Sequence, residues 1–284
     1  MRVAALTMSF NEPVWARVWA RHYAGQLGAA HCVLLDHGSD DGSADGLPVQ
    51  VRRLGRSPLD EEWRAAVVSE AAAGLLRTYD AVIHTDVDEL LIADPAYHAG
   101  LIGFARATAD VAVMTAVGLD VHHIPDEEPA IDPARRIGTQ RQWVRASSAM
   151  CKPVLVRRPV TWAPGFHACD APMVLDRLYL LHLRYADLGL GLRRLARSRA
   201  IAVVEPRAND HQRVDDAAFE AMVRGVATMR RQDAVLDPWA PPLSGFLAAV
   251  RASAVGRGAE RYPHDLGLWG DALWRLGPGM RGAF

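Results

Sequence analysis

The chain has 284 residues, 50% of them hydrophobic and 23% charged, the composition of a soluble globular protein able to bury a full core in one large domain, with or without a helical appendage. Lys and Arg number 32 against 33 for Asp and Glu, a formal net charge of -1, so no global field recruits nucleic acid and any bound anion must be held by a local site. Three cysteines, Cys32, Cys151 and Cys169, are odd in number and form no Cys-x-x-Cys, which argues against a disulfide framework and a zinc site and points to a reducing cytosol.

Val3 to Met8 reads as a first strand, closed by Asn11-Glu12-Pro13. Its short apolar run meets charge where a signal peptide would stay uncharged, so no targeting signal is expected, and no later segment approaches the ~20 apolar residues of a membrane span. Asn11 or Glu12 is placed to cap a helix whose Val14, Trp15, Val18, Trp19 and Tyr23 recur at helical spacing and predict a core face. His31 to Asp36 is a second buried strand, and strand, helix, strand predicts a parallel βαβ unit. Val49 to Leu54 alternates and suits a sheet edge; Asp60 to Arg77 reads as an amphipathic helix with Trp63, Val67, Ala71 and Leu75 on a common side.

Ala81 to Thr85 is an apolar run that ends abruptly in Asp86-Val87-Asp88-Glu89. It reads as a buried strand delivering acids to its carboxyl end, where open α/β sheets keep their ligand crevice. If strand geometry persists past Thr85, Asp86 and Asp88 project to one side and repel. A hard divalent cation, Mg²⁺ or Mn²⁺, would relieve that repulsion and bridge to phosphate oxygens, so the stretch suggests a metal-dependent diphosphate site. On this reading Asp88→Asn removes the metal and leaves the fold intact.

Further on, Pro95 to Thr108 reads as a helix, and Val111 to Thr115, Lys152 to Val156 and Leu178 to Leu183 as strands. Gly118 to Arg145 reads as one long connection of the kind that carries function. After Val214 the pattern turns helical and loses its strands. This predicts a domain over 1–213 and a helical extension over 214–284, for which padding the sheet is favoured over a dimer contact or a peripheral membrane contact.

Asn11-Glu12 after the first strand, Asp36 before Gly38-Ser39-Asp40-Asp41-Gly42-Ser43, and Asp86-Val87-Asp88-Glu89 resemble the family 2-like glycosyltransferases of the GT-A fold. The likeness is to the bacterial subgroup with a D-x-D-E-[FL] motif, a later Lys-Pro strand, here Lys152-Pro153, and a G-x-H element, here Gly165-Phe166-His167. It covers the first ~120 residues and, more loosely, Lys152 to Asp187. The resemblance implies a mixed, mainly parallel sheet flanked by helices, a nucleotide-diphosphate sugar donor, Mn²⁺ or Mg²⁺, and transfer to a glycan or other hydroxyl acceptor. Asn11, Glu12, Asp36 and Asp40 would then hold the nucleoside, although Asp36-His37-Gly38-Ser39 departs from the commoner Asn-x-Ser pattern and leaves the base open. Asp86 and Asp88 would carry the metal with a third ligand from His182 or His167. Lys152 and Arg184 would neutralise the diphosphate leaving group. For an inverting transfer the base is open among Asp170, Asp126, Glu127 and Glu89, with Asp170 first.

No P-loop, no Gly-x-Gly-x-x-Gly after the first strand, no His-Glu-x-x-His and no Gly-x-Ser-x-Gly occur, so nucleotide hydrolases of the P-loop type, dinucleotide dehydrogenases, helical zinc sites and elbow hydrolases lose support. Two rivals stay open: a nucleotidyl- or phosphotransferase acting on a sugar phosphate, and a non-catalytic nucleotide-sugar-binding protein.

Overall fold

Alternation along the first two strands sorts their side chains into two cores. Val3 and Ala5 of β1 (Val3–Ser9), with Cys32 and Leu34 of β2 (Cys32–Asp36), join Trp15, Val18, Trp19 and Tyr23 of α1 (Trp15–Leu27). Ala4, Leu6, Met8, Val33 and Leu35 face the opposite way onto Ala65, Val68, Ala72 and Leu75 of α2 (Glu61–Leu75). Both faces of the strands are thus covered, which is why they read as continuous apolar runs. The stripe that α2 buries is offset from the one predicted: Trp63, Val67 and Ala71 are only partly buried at its flank. Asp60 caps α2 by accepting from the amides of Glu62 and Trp63. Neither Asn11 nor Glu12 caps α1, whose N-cap is Val14 without a side-chain bond.

These elements belong to a computed structural model that describes residues 1–204, 213–254 and 262–284. Its α/β fold is built on one mixed sheet, ordered β10 (Arg231–Val235), β11 (Leu273–Arg275), β7 (Trp143–Ala146), β6 (Val113–His122), β8 (Pro153–Val156), β4 (Ala81–His84), β1, β2 and β3 (Gln50–Arg53). β4, β1, β2 and β3 run parallel, with β3 at the edge as its alternation predicts. β8 then pairs antiparallel with β4 and with β6. β7 also pairs antiparallel with β6, so the predicted long connection shrinks to residues 123–142.

β5 (Glu89–Ala93) does not read as a strand in the sequence. It starts directly after the acids and pairs antiparallel with β9 (Leu175–His182), which in turn runs parallel to β6. α3 (Gly100–Ala107) is shorter than predicted. After α4 (Leu188–Ala200) and α5 (Asp216–Ala227), the C-terminal part departs from a purely helical extension. β10 and β11 continue the sheet past β7, with α6 (Leu243–Ser253) between them and α7 (Pro278–Arg281) after. Among the described residues no helix is long and apolar enough to cross a membrane.

Candidate active site

The register of three strands lines up the chemistry. β6 and β9 set Asp120 opposite His182, and β9 and β5 set His182 opposite Glu89. Cross-strand partners share a face, and a slip of one residue would turn all three away. Beside this row, β4 ends at His84 and the chain turns through residues 85–88, closed by the Glu89 amide donating to the Asp86 carbonyl at 3.0 Å. The alternation expected past Thr85 therefore does not occur. The turn is held from behind by α1, where the Trp19 indole donates to Thr85 Oγ1 at 2.9 Å and the Leu91 amide donates to Tyr23 Oη at 3.0 Å.

Asp86 and Asp88 both line one cavity of about 680 Å³, but each has its own cations. Asp86 pairs with Arg64 of α2 and with Lys152 Nζ at 2.8 Å. Burial alone would raise its pKa, yet Arg64 and Lys152 hold it well below the usual carboxylate range. Lys152 also reaches Glu89 Oε1 at 2.6 Å, while Glu89 Oε2 accepts from the Asp86 amide. Glu89 is otherwise enclosed, and burial pushes its pKa up.

Asp88 accepts from both terminal nitrogens of Arg194 and lies 3.3 Å from His182 Nε2. The other ring nitrogen, Nδ1, is 2.6 Å from Asp120 Oδ1. Burial opposes charge on His182, but the hydrogen bonds to Asp120 and Asp88 prevail and raise its pKa to about 9. In turn Asp88 sits far below its usual range: burial raises it, and Arg194 and His182 more than reverse that. Arg194 also approaches Glu12 at 3.3 Å through Nε, and Arg197, one turn on, donates to Glu12 at 2.8 Å. α4 is fixed at its start by Asp187, which accepts from the Leu190 amide and from Ile131.

The cavity gathers many of the predicted residues: Asn11, Glu12, Asp86, Asp88, Glu89, Lys152, His167, His182 and Arg184. His167 donates Nδ1–H to the Ala149 carbonyl at 2.7 Å, and burial, reinforced by Lys152, lowers its pKa to about 3. Of the two alternative ligands, His182 is the one whose second ring nitrogen, Nε2, lies against Asp88.

The other predicted residues lie outside the cavity. Asp36 is fully buried, accepting from the Ser39 amide at 3.0 Å and pairing with Arg53 at 2.9 Å, so it organises its own loop. Asp40 exchanges two hydrogen bonds with Asn11, whose φ of 49° bends the β1 loop toward it. Asp170 is tied to Arg158 at 3.0 Å and to the Thr161 amide. Asp126 is an exposed partner of Arg224, and Glu127 of Arg231. Neither Asp170 nor Asp126 is placed to serve as a base here, and Glu89, which does line the cavity, is engaged by Lys152.

Sequence reasoning missed Asp120, Arg64, Arg194 and Arg197. Asp120 carried a signal, an acid within an otherwise apolar run, and Arg193, Arg194 and Arg197 fall within about 100° of one another on a helix, a basic cluster that invites an anion.

Among the described residues no group of three or more His, Cys, Asp or Glu is assembled to hold a metal ion. Of the residues present, Asp88 and His182 Nε2 would hold one once the imidazole gives up its proton and Arg194 turns from Asp88, and a carboxylate behind the other ring nitrogen is the outer support usual for a metal-bound histidine.

No family model matches the chain, and no curated protein matches it. Among solved structures it is similar to a mannose-1-phosphate geranyltransferase from Thermus thermophilus, at 12% identity and a TM-score of 0.28 over 79% of this chain. The chain spans 65% of that protein's length. It is also similar to a mycobacterial protein, at 11% identity and a TM-score of 0.32, over 99% of this chain and 87% of the other. Likenesses this distant carry no argument about activity, which rests on the site itself.

Proposed function

We propose that the chain is a metal-dependent glycosyltransferase that takes its sugar from a nucleotide-diphosphate donor. The observation that carries this reading is the meeting of Asp88 with His182 Nε2, backed by Asp120, beside a wall of Arg64, Lys152, Arg194 and Arg197 in one cavity. At about 680 Å³ the cavity falls within the range of small-molecule sites.

Asp88 and His182 would hold Mn²⁺ or Mg²⁺, with Asp86 beside them. The ion would supply charge neutralisation at the diphosphate. Arg194 bridges Asp88 and Glu12 and Arg197 holds Glu12, so a diphosphate would meet guanidinium groups already turned to an anion and exchange carboxylate for phosphate on them. Lys152 lines the cavity with its ammonium paired to both Glu89 and Asp86, and there it would stabilise a leaving phosphate. Glu89 then acts as the anchor of Lys152. Arg184 lines the same cavity and is proposed for the same anion.

The test is thermal unfolding with UDP or GDP, each with and without Mn²⁺, since a ligand of the native state at 100 times its Kd adds about 2.7 kcal/mol. Stabilisation that needs both nucleotide and Mn²⁺, and is lost in His182→Ala, is the expected result; no response to any pair refutes the reading. Incubation with nucleotide sugars and analysis of the product then separates the two enzymes, because a nucleotidyl- or phosphotransferase leaves phosphate on its product.

A further inference from the structure

Trp269 and Ser147 line a part of the cavity that the donor reading leaves unused, held by a bridge that the C-terminal part brings in. Trp269 pairs antiparallel with Ser147, and the Ser148 amide donates to the Leu268 carbonyl at 3.0 Å while the Gly270 amide donates to the Ala146 carbonyl at 2.9 Å. Trp269 is thus fixed by its backbone, yet it lines the cavity and remains 42% exposed. The Arg145 guanidinium lies 4.9 Å from the ring centre and occupies one side of the indole.

Two polar atoms in the same lining lack partners. Ser147 is completely buried and Asp120 is 1% exposed, and both line the cavity. Ser147 Oγ and Asp120 Oδ2 find no hydrogen-bond partner among the described residues. Burying such groups unpaired costs on the order of 1–3 kcal/mol each, so they call for a partner. Asp120 is a diagonal neighbour of Ser147, since it faces Arg145, two residues before Ser147, across the β6–β7 ladder.

Building on the donor reading above, we propose that this part of the cavity is an acceptor subsite for a pyranose ring, with the ring's C–H face on Trp269 and its hydroxyls on Ser147 Oγ and Asp120 Oδ2. A carboxylate oxygen only accepts, so it selects a hydroxyl over a phosphate or carboxylate. An alkyl chain would cover Trp269 but leave both polar atoms unpaired, while an acyclic polyol would lose conformational freedom that a rigid ring has already lost. A ring with one apolar face and a polar rim meets both demands. Because Asp120 Oδ1 holds His182, which meets Asp88, a hydroxyl on Oδ2 lies next to the donor part.

The experiment follows indole N–H signals of the full chain labelled with ¹⁵N, without nucleotide or metal, the Trp269 signal being assigned from Trp269→Phe. The probes are methyl β-D-glucopyranoside, methyl β-D-galactopyranoside and methyl α-D-mannopyranoside, with sorbitol and n-butanol as the acyclic and apolar controls. We expect at least one glycoside to shift the Trp269 signal saturably while neither control does. In Trp269→Ala, followed through the remaining indole signals and by saturation transfer to the glycoside, affinity falls about ten-fold. Ser147→Ala weakens it about three-fold and guards against a misfolded Trp269 variant. No saturable shift with any glycoside, an equal shift with butanol or sorbitol, or unchanged affinity in both variants overturns the subsite. Failure here with an intact UDP and Mn²⁺ response sinks the subsite alone; glycoside binding without that response sinks the donor reading alone.

Discussion

Asp88→Asn separates the buried site from a solvated pair of acids. As a surface carboxylate relieved of repulsion, Asp88 would be dispensable to the fold. It is instead 2% exposed and bonded to Arg194 and His182, and its neighbour Asp86 is neutralised separately by Arg64 and Lys152. No repulsion is left to relieve. Removing one partner of a buried pair costs about 3–5 kcal/mol, because the other is stranded. Arg194 keeps Glu12 at 3.3 Å, and an asparagine oxygen still accepts one bond, so we expect about 2–4 kcal/mol, a fall in Tm of roughly 3–7 °C. Urea unfolding without metal measures it. The same variant should lose the Mn²⁺-dependent stabilisation by nucleotide, and the pKa of His182, raised from 6.5 to about 9 in the native chain, should drop. A raised pKa means that the charged imidazole contributes its full stability below pH 6.5 and loses it as pH rises through about 9. Asp88→Asn should therefore flatten the decline in stability over that window. An unchanged unfolding midpoint would refute the buried pairing, and an unchanged Mn²⁺ response would refute the metal role.

Gly118→Ala should damage the site without touching a charged group, since a Cβ there overlaps the Met150 carbonyl carbon and the Ser147 carbonyl oxygen, the backbone that walls the cavity and leads into Lys152. The expected loss is at least about 3 kcal/mol, read by urea unfolding, and a variant as stable as the parent would show that this wall is not packed on β6. His22 is half-buried with Nε2 2.9 Å from the Leu91 carbonyl, and desolvation lowers its pKa from 6.5 to about 4. The unfolded chain therefore takes up a proton first as pH falls, and stability drops by about 2 kcal/mol from this group between pH 7 and 5; unfolding of His22→Gln at both pH values should lack that part of the loss, and an identical loss would refute it.

Where periodicity was strong, the sequence was a reliable guide to the fold. β1, β2 and β4 were visible because both faces are covered and the runs are uninterrupted. β5 was hidden because its first residue, Glu89, is charged and followed on immediately from a motif that looked like a loop. Only the antiparallel pairing with β9 makes Glu89–Ala93 a strand. β10 and β11 were hidden for a related reason: Arg231–Val235 is partly exposed and Leu273–Arg275 is three residues long, so neither shows a pattern away from its partners.

The site divides along the same line. Asp86, Asp88, Lys152 and His182 stood out as local signals, acids ending an apolar run and polar residues at strand positions. Asp36 stood out by a similar signal and Asp170 by lying three residues past His167, yet each has a cation close in sequence, Arg53 and Arg158, that turns it into a loop brace. Asp88, by contrast, finds Arg194 and His182 at a distance of 94 residues or more, and Glu12 finds Arg197 185 residues away. Acids satisfied by neighbours in the chain serve the local backbone. Those satisfied only across the fold are the ones whose partners a ligand can replace, since releasing them leaves the turns that position them intact. On that argument Glu12 and Asp88, both held by Arg194, respond together: a diphosphate that draws Arg194 away frees both carboxylates at once, and Arg194→Ala should loosen both without unfolding β1 or the Asp86 turn.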